Sequence, residues 1–386
     1  MNIQERAVNE LNRVTKVSAV YVCPARGLAD LRPPEPKRLG QAAAVAKNLG
    51  VDRLDIPVLE ESLLLPSREK ITFLDGLLQA LDLAEANRMQ ASLILPAQKI
   101  LGTTWVIPDL ARPLADPDAN PVFVAGRLRT LRPYNWWTDP LIIQKRLKAF
   151  REALSAVAGH PALEGLLIMD RALEWPRPDV EEALFFIKAL IAEIRERETS
   201  WGRVAVSLGW EDLVEPGPAK RVSKEVEHLR MGGVENSRKG LEAPDNLAEE
   251  MQLAAFMGTM ASWLFERPVE VEAGWSVSKE RGDALAEACS RFGSQGLEGV
   301  TWLTLADPEL ASRQAPPWVL RPGLEKAGLL DHRLDPKPWV EEWIRETKSS
   351  RPSKKAFDFI DASPEEYLED PGMHILRLWD HFKRTF

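Results

Sequence analysis

The sequence is poor in cysteine and histidine, and this scarcity excludes two kinds of protein. Of the 386 residues, two are cysteines, Cys23 and Cys289, and five are histidines. Two cysteines in so long a chain do not make a disulfide framework. The histidines lack the H-x-H or H-E-x-x-H spacing of metal sites, and no phosphate-binding G-x-x-x-x-G-K motif is present. We therefore expect no disulfide framework, no metal and no cofactor.

An excess of basic residues is also missing, as are long apolar runs. The chain has 50 Lys and Arg against 58 Asp and Glu, which gives a net charge of −8. Nucleic acids and anionic membranes bind clustered cations, so neither is an expected partner. No run approaches 18 uncharged apolar residues, and the first segment, MNIQERAVNELNR, lacks the apolar core of a signal peptide. As written, the sequence predicts a cytoplasmic protein.

Short apolar runs alternate with longer amphipathic segments, a pattern typical of a parallel sheet with crossover helices. We predict eight strands, at Val17–Cys23, Arg53–Val58, Met89–Leu95, Gly165–Asp170, Val204–Gly209, Val226–Met231, Val269–Ala273 and Gly299–Leu305. Helices are predicted at Lys37–Leu49, Thr72–Asn87, Asp139–Ala158, Asp179–Glu198, Ala243–Phe265 and Ser278–Phe292. The fifth crossover, around Pro218–Lys224, is the least regular. We expect Gly50 to end the first helix and Asp179 to cap the fourth.

Eight such units predict an α/β fold, a (β/α)8 TIM barrel over residues 1–347, with a doubly wound sheet as the alternative. No G-x-G-x-x-G follows any strand, which disfavours that alternative. The loop after the third strand, residues 98–136, is long, rich in proline and predicted to be irregular. Residues 348–386 are predicted to form an acidic and aromatic extension that packs on the barrel through Phe357, Phe359 and Tyr367.

Carboxylates stand at two predicted strand ends, where barrel enzymes carry their chemistry. Asp170 and Glu174 follow the fourth strand, and strand alternation puts Glu270 and Glu272 of the seventh strand on one face. Ion pairs with a neighbouring Arg or Lys are one explanation of buried carboxylates, and catalysis is the other. Glycoside hydrolysis needs two such groups: a protonated one for the leaving oxygen and an ionised one for the sugar. Burial and repulsion would raise the pKa of the acid partner.

Tryptophans are concentrated at the same end of the predicted barrel. Sugar faces stack on indole rings, whose N–H remains available for hydrogen bonding. The set favours a carbohydrate ligand, with core packing and loop anchoring as the other explanation of some members. Of thirteen tryptophans, seven fall in predicted loops after strands or at strand ends: Trp105, Trp136, Trp137, Trp175, Trp210, Trp275 and Trp302.

Several stretches in the same order resemble one enzyme family: LGVDRLDIPV, HPALEGLLIMDRALEW, RPVEVEAGWS, GLEGVTWLTLADP and AGLLDHRLDPKPWVEEW. Together they are similar to the glycoside hydrolases of clan A, the retaining (β/α)8 enzymes that include the cellulase and β-mannanase family. The resemblance runs from about Val17 to Trp343. It implies that Glu174 is the acid/base, Glu272 the nucleophile and Trp302 the sugar platform. Further candidate substrate contacts are Trp275, Trp175, Trp210, Trp137, Trp136, His228 and Arg230.

The chain departs from the family's pattern at two positions that bear on activity. Leu173 replaces the Asn that precedes the acid/base, and Asp55 stands where an Arg would brace the nucleophile, with Arg53 two positions earlier. The first hypothesis is retaining hydrolysis of a β-linked glycan or oligosaccharide, for which the two carboxyl groups should be about 5–5.5 Å apart. The second is a catalytically impaired barrel that binds carbohydrate or another partner. A third is unrelated chemistry that uses Asp170 or Asp55.

Overall fold

Eight parallel strands form a closed barrel at the centre of the molecule. The computed structural model describes residues 15–25, 28, 32–101, 103–112, 120–171, 173, 176–197, 203–233, 241–242, 244–274, 292, 294–315, 317–320, 323–349, 353 and 355–385. The barrel strands are β1 (Lys16–Val20), β2 (Arg53–Leu59), β3 (Gln90–Ala97), β4 (Leu163–Ile168), β5 (Arg203–Leu208), β6 (His228–Met231), β7 (Val269–Ala273) and β8 (Gly299–Trp302).

The order of the strands around the barrel follows their order in the chain. Each strand pairs with its sequence neighbours, and β8 pairs with β1, where Lys16 lies opposite Gly299, so that the sheet closes. An open doubly wound sheet would leave two free edges. The predicted α/β barrel is therefore confirmed, with all eight predicted strands present and several of them shorter by two or three residues.

Among the described residues, the helices lie between the strands, with three more after β8. They are α1 (Pro36–Leu49), α2 (Glu60–Leu63), α3 (Ser67–Ala86), α4 (Pro140–Val157), α5 (Val180–Arg197), α6 (Trp210–Val214), α7 (Gly217–Val222), α8 (Leu247–Phe265), α9 (Val340–Ser349), α10 (Pro364–Glu369) and α11 (Pro371–Thr385). Both predicted caps are confirmed. Gly50 ends α1 with a φ of 94°, and Asp179 Oδ1 accepts the Glu182 N–H at 2.8 Å.

Two predicted segments need comment. The least regular crossover contains two short helices, α6 and α7, instead of one long one. The helix predicted at Ser278–Phe292 lies outside the described residues except for Phe292. None of the described helices is both long and apolar enough to cross a membrane.

The loop after β3 is not irregular, as it was predicted to be, but contains a small sheet of its own. It has five strands, at Lys99–Ile100, Thr103–Trp105, Ala111–Arg112, Asn120–Val124 and Arg127–Pro133. Trp105 and Phe123 from this sheet stack with ring centroids 4.8 Å apart. The insertion thus carries its own aromatic contact and is attached to the barrel at the end of β3.

The inward faces of the strands divide the barrel interior into an apolar and a charged side. Val20, Ile94, Leu167 and Leu303 are inward residues of β1, β3 and β4 and of the chain just after β8, and they belong to one buried apolar cluster. That cluster continues into Trp105, Phe123 and Trp318, which cover this part of the carboxyl end of the barrel. Buried charged residues occupy β2, β6 and β7 instead: Arg53, Asp55, Arg230, Glu270 and Glu272. Any polar site must lie on the charged side.

The C-terminal segment packs against the outside of the barrel. Phe359 and Phe382 both contact Phe256 of α8, with centroids 5.9 and 5.5 Å away. The Tyr367 hydroxyl donates a hydrogen bond to the carbonyl of Leu213 at 2.8 Å. Burial of Phe359 and Tyr367 agrees with the expected packing, whereas the domain boundary at residue 347 stays a prediction.

Candidate active site at the barrel mouth

The barrel mouth is the carboxyl end of the eight strands, and there β4 runs into a strained turn that carries Asp170. Its neighbours Met169 and Arg171 have left-handed backbones, with φ of 56° and 49°. Such conformations cost about 1–3 kcal/mol each and persist where surrounding contacts hold them. Asp170 is 2% exposed, and its Oδ2 accepts the Lys99 backbone N–H at 3.1 Å. The turn fixes a buried carboxyl group at the mouth.

Arg171 connects this turn with the end of β6. Its Nη1 donates to the Gly233 carbonyl at 3.4 Å. A Cβ atom on Gly232 would lie 2.9 Å from the same nitrogen, so glycine leaves the space that the guanidinium occupies. A positive charge is thereby held beside Asp170.

Glu270 and Glu272 of β7 both lie inside the barrel, as strand alternation predicts. Glu270 is ion-paired: Arg53 Nη1 and Nη2 donate to its carboxylate at 3.0 and 2.7 Å, and Arg203 Nη2 lies 2.8 Å away. These charges hold the pKa of Glu270 well below its usual range even though burial raises it. The ion-pair explanation therefore applies to Glu270. Glu272, nearer the mouth and 8% exposed, remains the candidate for chemistry.

Asp170 and Glu272 interact across the mouth. Burial, and then the negative charge of Glu272, raise the pKa of Asp170 to about 7, while the Lys99 N–H and the charges of Arg171 and Arg230 act in the opposite direction. β4 and β7 are separated by β5 and β6 on one side and by four strands on the other, so the two groups come from nearly opposite walls. The elevated acid pKa that the sequence predicts for a carboxyl pair thus occurs at Asp170.

Asp55 and Arg230 lie below this pair and bind each other. Asp55 is fully buried, accepts the Arg53 Nε–H at 2.7 Å and also accepts a hydrogen bond from Arg230 Nη2. The hypothesis that Asp55 carries out chemistry is wrong for this structure, because both of its oxygens are engaged by arginines inside the barrel. Arg230 likewise belongs to the charged interior, within β6 as predicted, and its role as a substrate contact stays a prediction.

His228 is at the opposite end of the barrel, which contradicts its prediction as a substrate contact. It is the first residue of β6, and its Nδ1 lies 2.8 Å from Oε2 of Glu298, the residue before β8. The amino ends of parallel strands meet at one end of a barrel, and three residues of strand span about 10 Å. The predicted and the observed strand both end at Met231, so His228 stands three residues before the mouth in either.

Three predicted site residues, Glu174, Trp175 and Trp275, lie outside the described residues. The chain that leads away from the first two is anchored by Trp137, whose indole N–H donates to the Pro176 carbonyl at 2.8 Å. Trp137 therefore ties the loop after β4 to the end of the insertion. Leu173 is buried and offers no hydrogen-bonding side chain.

Among the described residues, one group of side chains has the spacing of metal ligands, and it is not at the mouth. Oxygen or nitrogen atoms of Asp82, Glu85 and His160 lie within 4.8 Å of one another at the outer surface. His160 Nε2 lies 3.1 Å from Asp82 Oδ1, and its Nδ1 accepts the Ala162 N–H at 3.2 Å. His160 thus links α3 to the turn before β4.

No protein-family model and no curated protein sequence matches the chain, but its fold is similar to those of solved glycoside hydrolases. GH5_18 from Bifidobacterium longum subsp. infantis has a TM-score of 0.66 and 14% identity, over 88% of this chain and 80% of that one. GH5_18 from Streptomyces cattleya, in complex with GlcNAc, has a TM-score of 0.63 and 16% identity, over 89% and 82%. Exo-beta-1,4-mannosidase Op5Man5 from Opitutaceae bacterium strain TAV5 has a TM-score of 0.65 and 16% identity, over 87% and 59%. The predicted resemblance to clan A is confirmed for the fold.

Within this glycosidase-like barrel, Trp302 does not form a sugar platform. It is fully buried, and its Nε1–H donates to the Ala327 carbonyl. Its ring packs against Trp339 and Trp343, with centroids 5.2 and 4.7 Å away. The adjacent Thr301 lies in register with the inward Glu272, so alternation directs Trp302 to the helix side.

The other described tryptophans of the candidate set are also core residues. Trp136 and Trp137 stack on each other at 4.0 Å, and the Arg146 guanidinium lies 3.8 Å above the Trp136 ring. Trp210 is buried at the start of α6. Their ring faces are covered by protein, so core packing and loop anchoring explain these three, and their prediction as substrate contacts is corrected.

Sequence reasoning named Asp170 as a candidate for unrelated chemistry but did not pair it with Glu272. Asp170 lies two residues past the end of β4, which is the position that a barrel uses for chemistry. That signal was present in the sequence. What it did not contain was the pair of left-handed residues around Asp170, because neither Met169 nor Arg171 favours that conformation.

Proposed function

We propose that the protein hydrolyses a β-linked oligosaccharide with retention of configuration, with Glu272 as the nucleophile and Glu174 as the acid/base. The observation that carries the proposal is the interaction of two buried carboxyl groups, Asp170 and Glu272, across a glycosidase-like barrel mouth. The loop that begins at Asp170 leads within four residues to Glu174. Carboxyl groups on opposite walls of one mouth are the arrangement that glycoside hydrolysis uses.

The mechanism has two displacements at the anomeric carbon. Ionised Glu272 attacks that carbon, and Glu174 gives its proton to the departing glycosidic oxygen, which leaves a glycosyl ester on Glu272. Glu174 then takes a proton from water, the water oxygen attacks the same carbon, and the Glu272 carboxylate leaves. Asp170, with a pKa of about 7, is largely uncharged during this cycle below neutral pH and so adds little repulsion to ionised Glu272.

The sugar is proposed from the solved structures of similar fold. GH5_18 from Streptomyces cattleya was solved with GlcNAc, and a variant of GH5_18 from Bifidobacterium longum subsp. longum was solved with Manb1-4GlcNAc. Op5Man5 is an exo-beta-1,4-mannosidase. We propose β-1,4-linked oligosaccharides that contain mannose or N-acetylglucosamine as the first substrates to test.

The test combines turnover with chemical trapping. Wild-type protein, Glu272→Gln and Glu174→Gln are assayed on aryl β-mannosides, β-glucosides and N-acetyl-β-glucosaminides and on Manβ1-4GlcNAc. Each substitution should lower kcat by about 10³-fold or more, since each removes a group that acts on the reacting atoms. A 2-fluoro glycoside should add one sugar mass to the peptide that contains Glu272. The exposed Glu341 of α9 provides the control, as Glu341→Gln should keep full activity.

Unchanged turnover in Glu272→Gln would refute the mechanism. A second candidate function, carbohydrate binding without turnover, is favoured by Leu173, a buried apolar residue that immediately precedes the proposed acid in the sequence. It predicts sugar binding by calorimetry with no product and no trapped adduct, and detection of an adduct on Glu272 would reject it.

A further inference from the structure

The charged interior below the mouth contains an arginine whose hydrogen bonds are only partly used. Arg53 is fully committed, since its Nε and Nη2 bond Asp55 while Nη1 and Nη2 bond Glu270. Arg203 adds a second cation to Glu270 at 2.8 Å. Arg53 and Arg203 therefore neutralise Glu270 from below without Arg230.

Arg230 is buried at 2% exposure and uses one end of its guanidinium. Its Nη2 donates to Asp55 and lies 3.4 Å from Glu270 Oε2. Its Nε and Nη1 have no hydrogen-bond partner among the described residues. These two nitrogens carry three N–H donors, and a buried donor without a partner costs about 1–3 kcal/mol, so a native structure retains such groups where they serve a further purpose.

Arg230 lies in register with Glu270 on the neighbouring strand β7, and Glu272 is the next inward residue of that strand. Its buried positive charge therefore acts on Glu272 and, across the mouth, on Asp170. Of the other charged groups around this pair, Arg171 lies on the β6 side of the mouth, while Asp55, Arg53 and Glu270 form the paired layer beneath it. Arg230 thus interacts both with the ion-paired residues beneath the mouth and with the two carboxyl groups at the mouth.

We propose that Arg230, anchored by Asp55, is a positioning residue whose buried positive charge keeps Glu272 ionised from below the mouth. The proposal rests on the proposed function, in which Glu272 is the nucleophile. It assigns a purpose to the departure at strand two: Asp55 occupies the position of an arginine and fixes an arginine that β6 supplies. A nucleophilic carboxylate has to be ionised, and a cation beside a carboxylate favours its charged form.

The test measures Asp170 and Glu272 directly, so it does not depend on turnover. Full-length protein with 13C-carboxyl-labelled Asp and Glu is titrated by NMR, with the two signals assigned through Asp170→Asn and Glu272→Gln. Arg230→Met should raise the apparent pKa of both groups by about one unit, whereas Arg230→Lys should keep most of the wild-type behaviour. Arg53→Met removes a cation from the same interior and is the matched control, with a smaller effect on both titrations.

Unchanged titrations in folded Arg230→Met would overturn the proposal. If that variant does not fold, Arg230→Gln, which removes the same charge and keeps an amide donor towards Asp55, replaces it with the same expected direction and the same refuting result. With an active enzyme, Arg230→Met should also lower kcat about 100-fold with a small change in KM and move the acidic limb of kcat/KM to higher pH. If Glu272→Gln turned over substrate as fast as wild type, the proposed function alone would be refuted. The NMR titrations would still test the role of Arg230, because they do not depend on turnover.

Discussion

At the scale of single residues, the main consequence is the pH dependence that Asp170 imposes on stability. A carboxyl group with a raised pKa in the folded protein binds a proton there at pH values where the unfolded chain has lost it. Its contribution to the free energy of unfolding therefore falls as pH rises from about 4 to about 7. Asp170→Asn removes the titration and keeps an acceptor for the Lys99 N–H. Its stability relative to wild type should increase by about 2–4 kcal/mol between pH 5 and pH 8.

Urea denaturation of both proteins at a series of pH values measures this difference. Asp75 on α3 is exposed, and Asp75→Asn controls for the loss of one negative charge. A difference between Asp170→Asn and wild type that does not change with pH would contradict the account of the mouth as a pair of interacting carboxyl groups.

At the scale of secondary-structure elements, β7 and β8 meet through Gly274 and Trp302. Gly274 has a φ of 111°, and a Cβ atom there would lie 2.8 Å from the Trp302 ring. Gly274→Ala should lower the free energy of unfolding by about 2–4 kcal/mol, through backbone strain and displacement of the ring. Gly323 is a matched control, since its φ is 101° and a Cβ atom there would meet nothing within 4 Å. Gly323→Ala should cost about 1 kcal/mol, and equal losses in the two variants would contradict the Trp302 contact.

The elements that could be predicted from the sequence are those with a clear period. The eight strands and most helices show such a period, and the two-residue period of β7 also predicted that Glu270 and Glu272 both point inward. In GVTWLTL, the segment predicted as the eighth strand, apolar residues occur on both faces, so its alternation could not show that Trp302 points outward. The strands of the insertion are two to seven residues long and pair with distant partners, which leaves no local signal. The pairing of the buried arginines with the buried carboxylates depends on the register between neighbouring strands, and that register could not be predicted from the sequence.

At the scale of the whole molecule, α8 shows how the barrel and the C-terminal segment are joined. Its residues are buried around most of its circumference, and such a helix must be covered on both sides. β7 covers one side, and Phe359, Trp379 and Phe382 cover Phe256 on the other. The C-terminal helices therefore complete the core of the barrel.

A single cooperative transition follows from this arrangement. Phe382→Ala should lower the free energy of unfolding of the whole protein by about 3–5 kcal/mol, because it opens a cavity against α8. Circular dichroism and tryptophan fluorescence should continue to report one common midpoint. Met373 of α11 is 55% exposed, and Met373→Ala should change stability by less than about 0.5 kcal/mol. If Phe382→Ala instead produced an early transition of the last residues with an unchanged midpoint for the barrel, residues 348–386 would be an independent unit, and α8 would retain its core contacts without them.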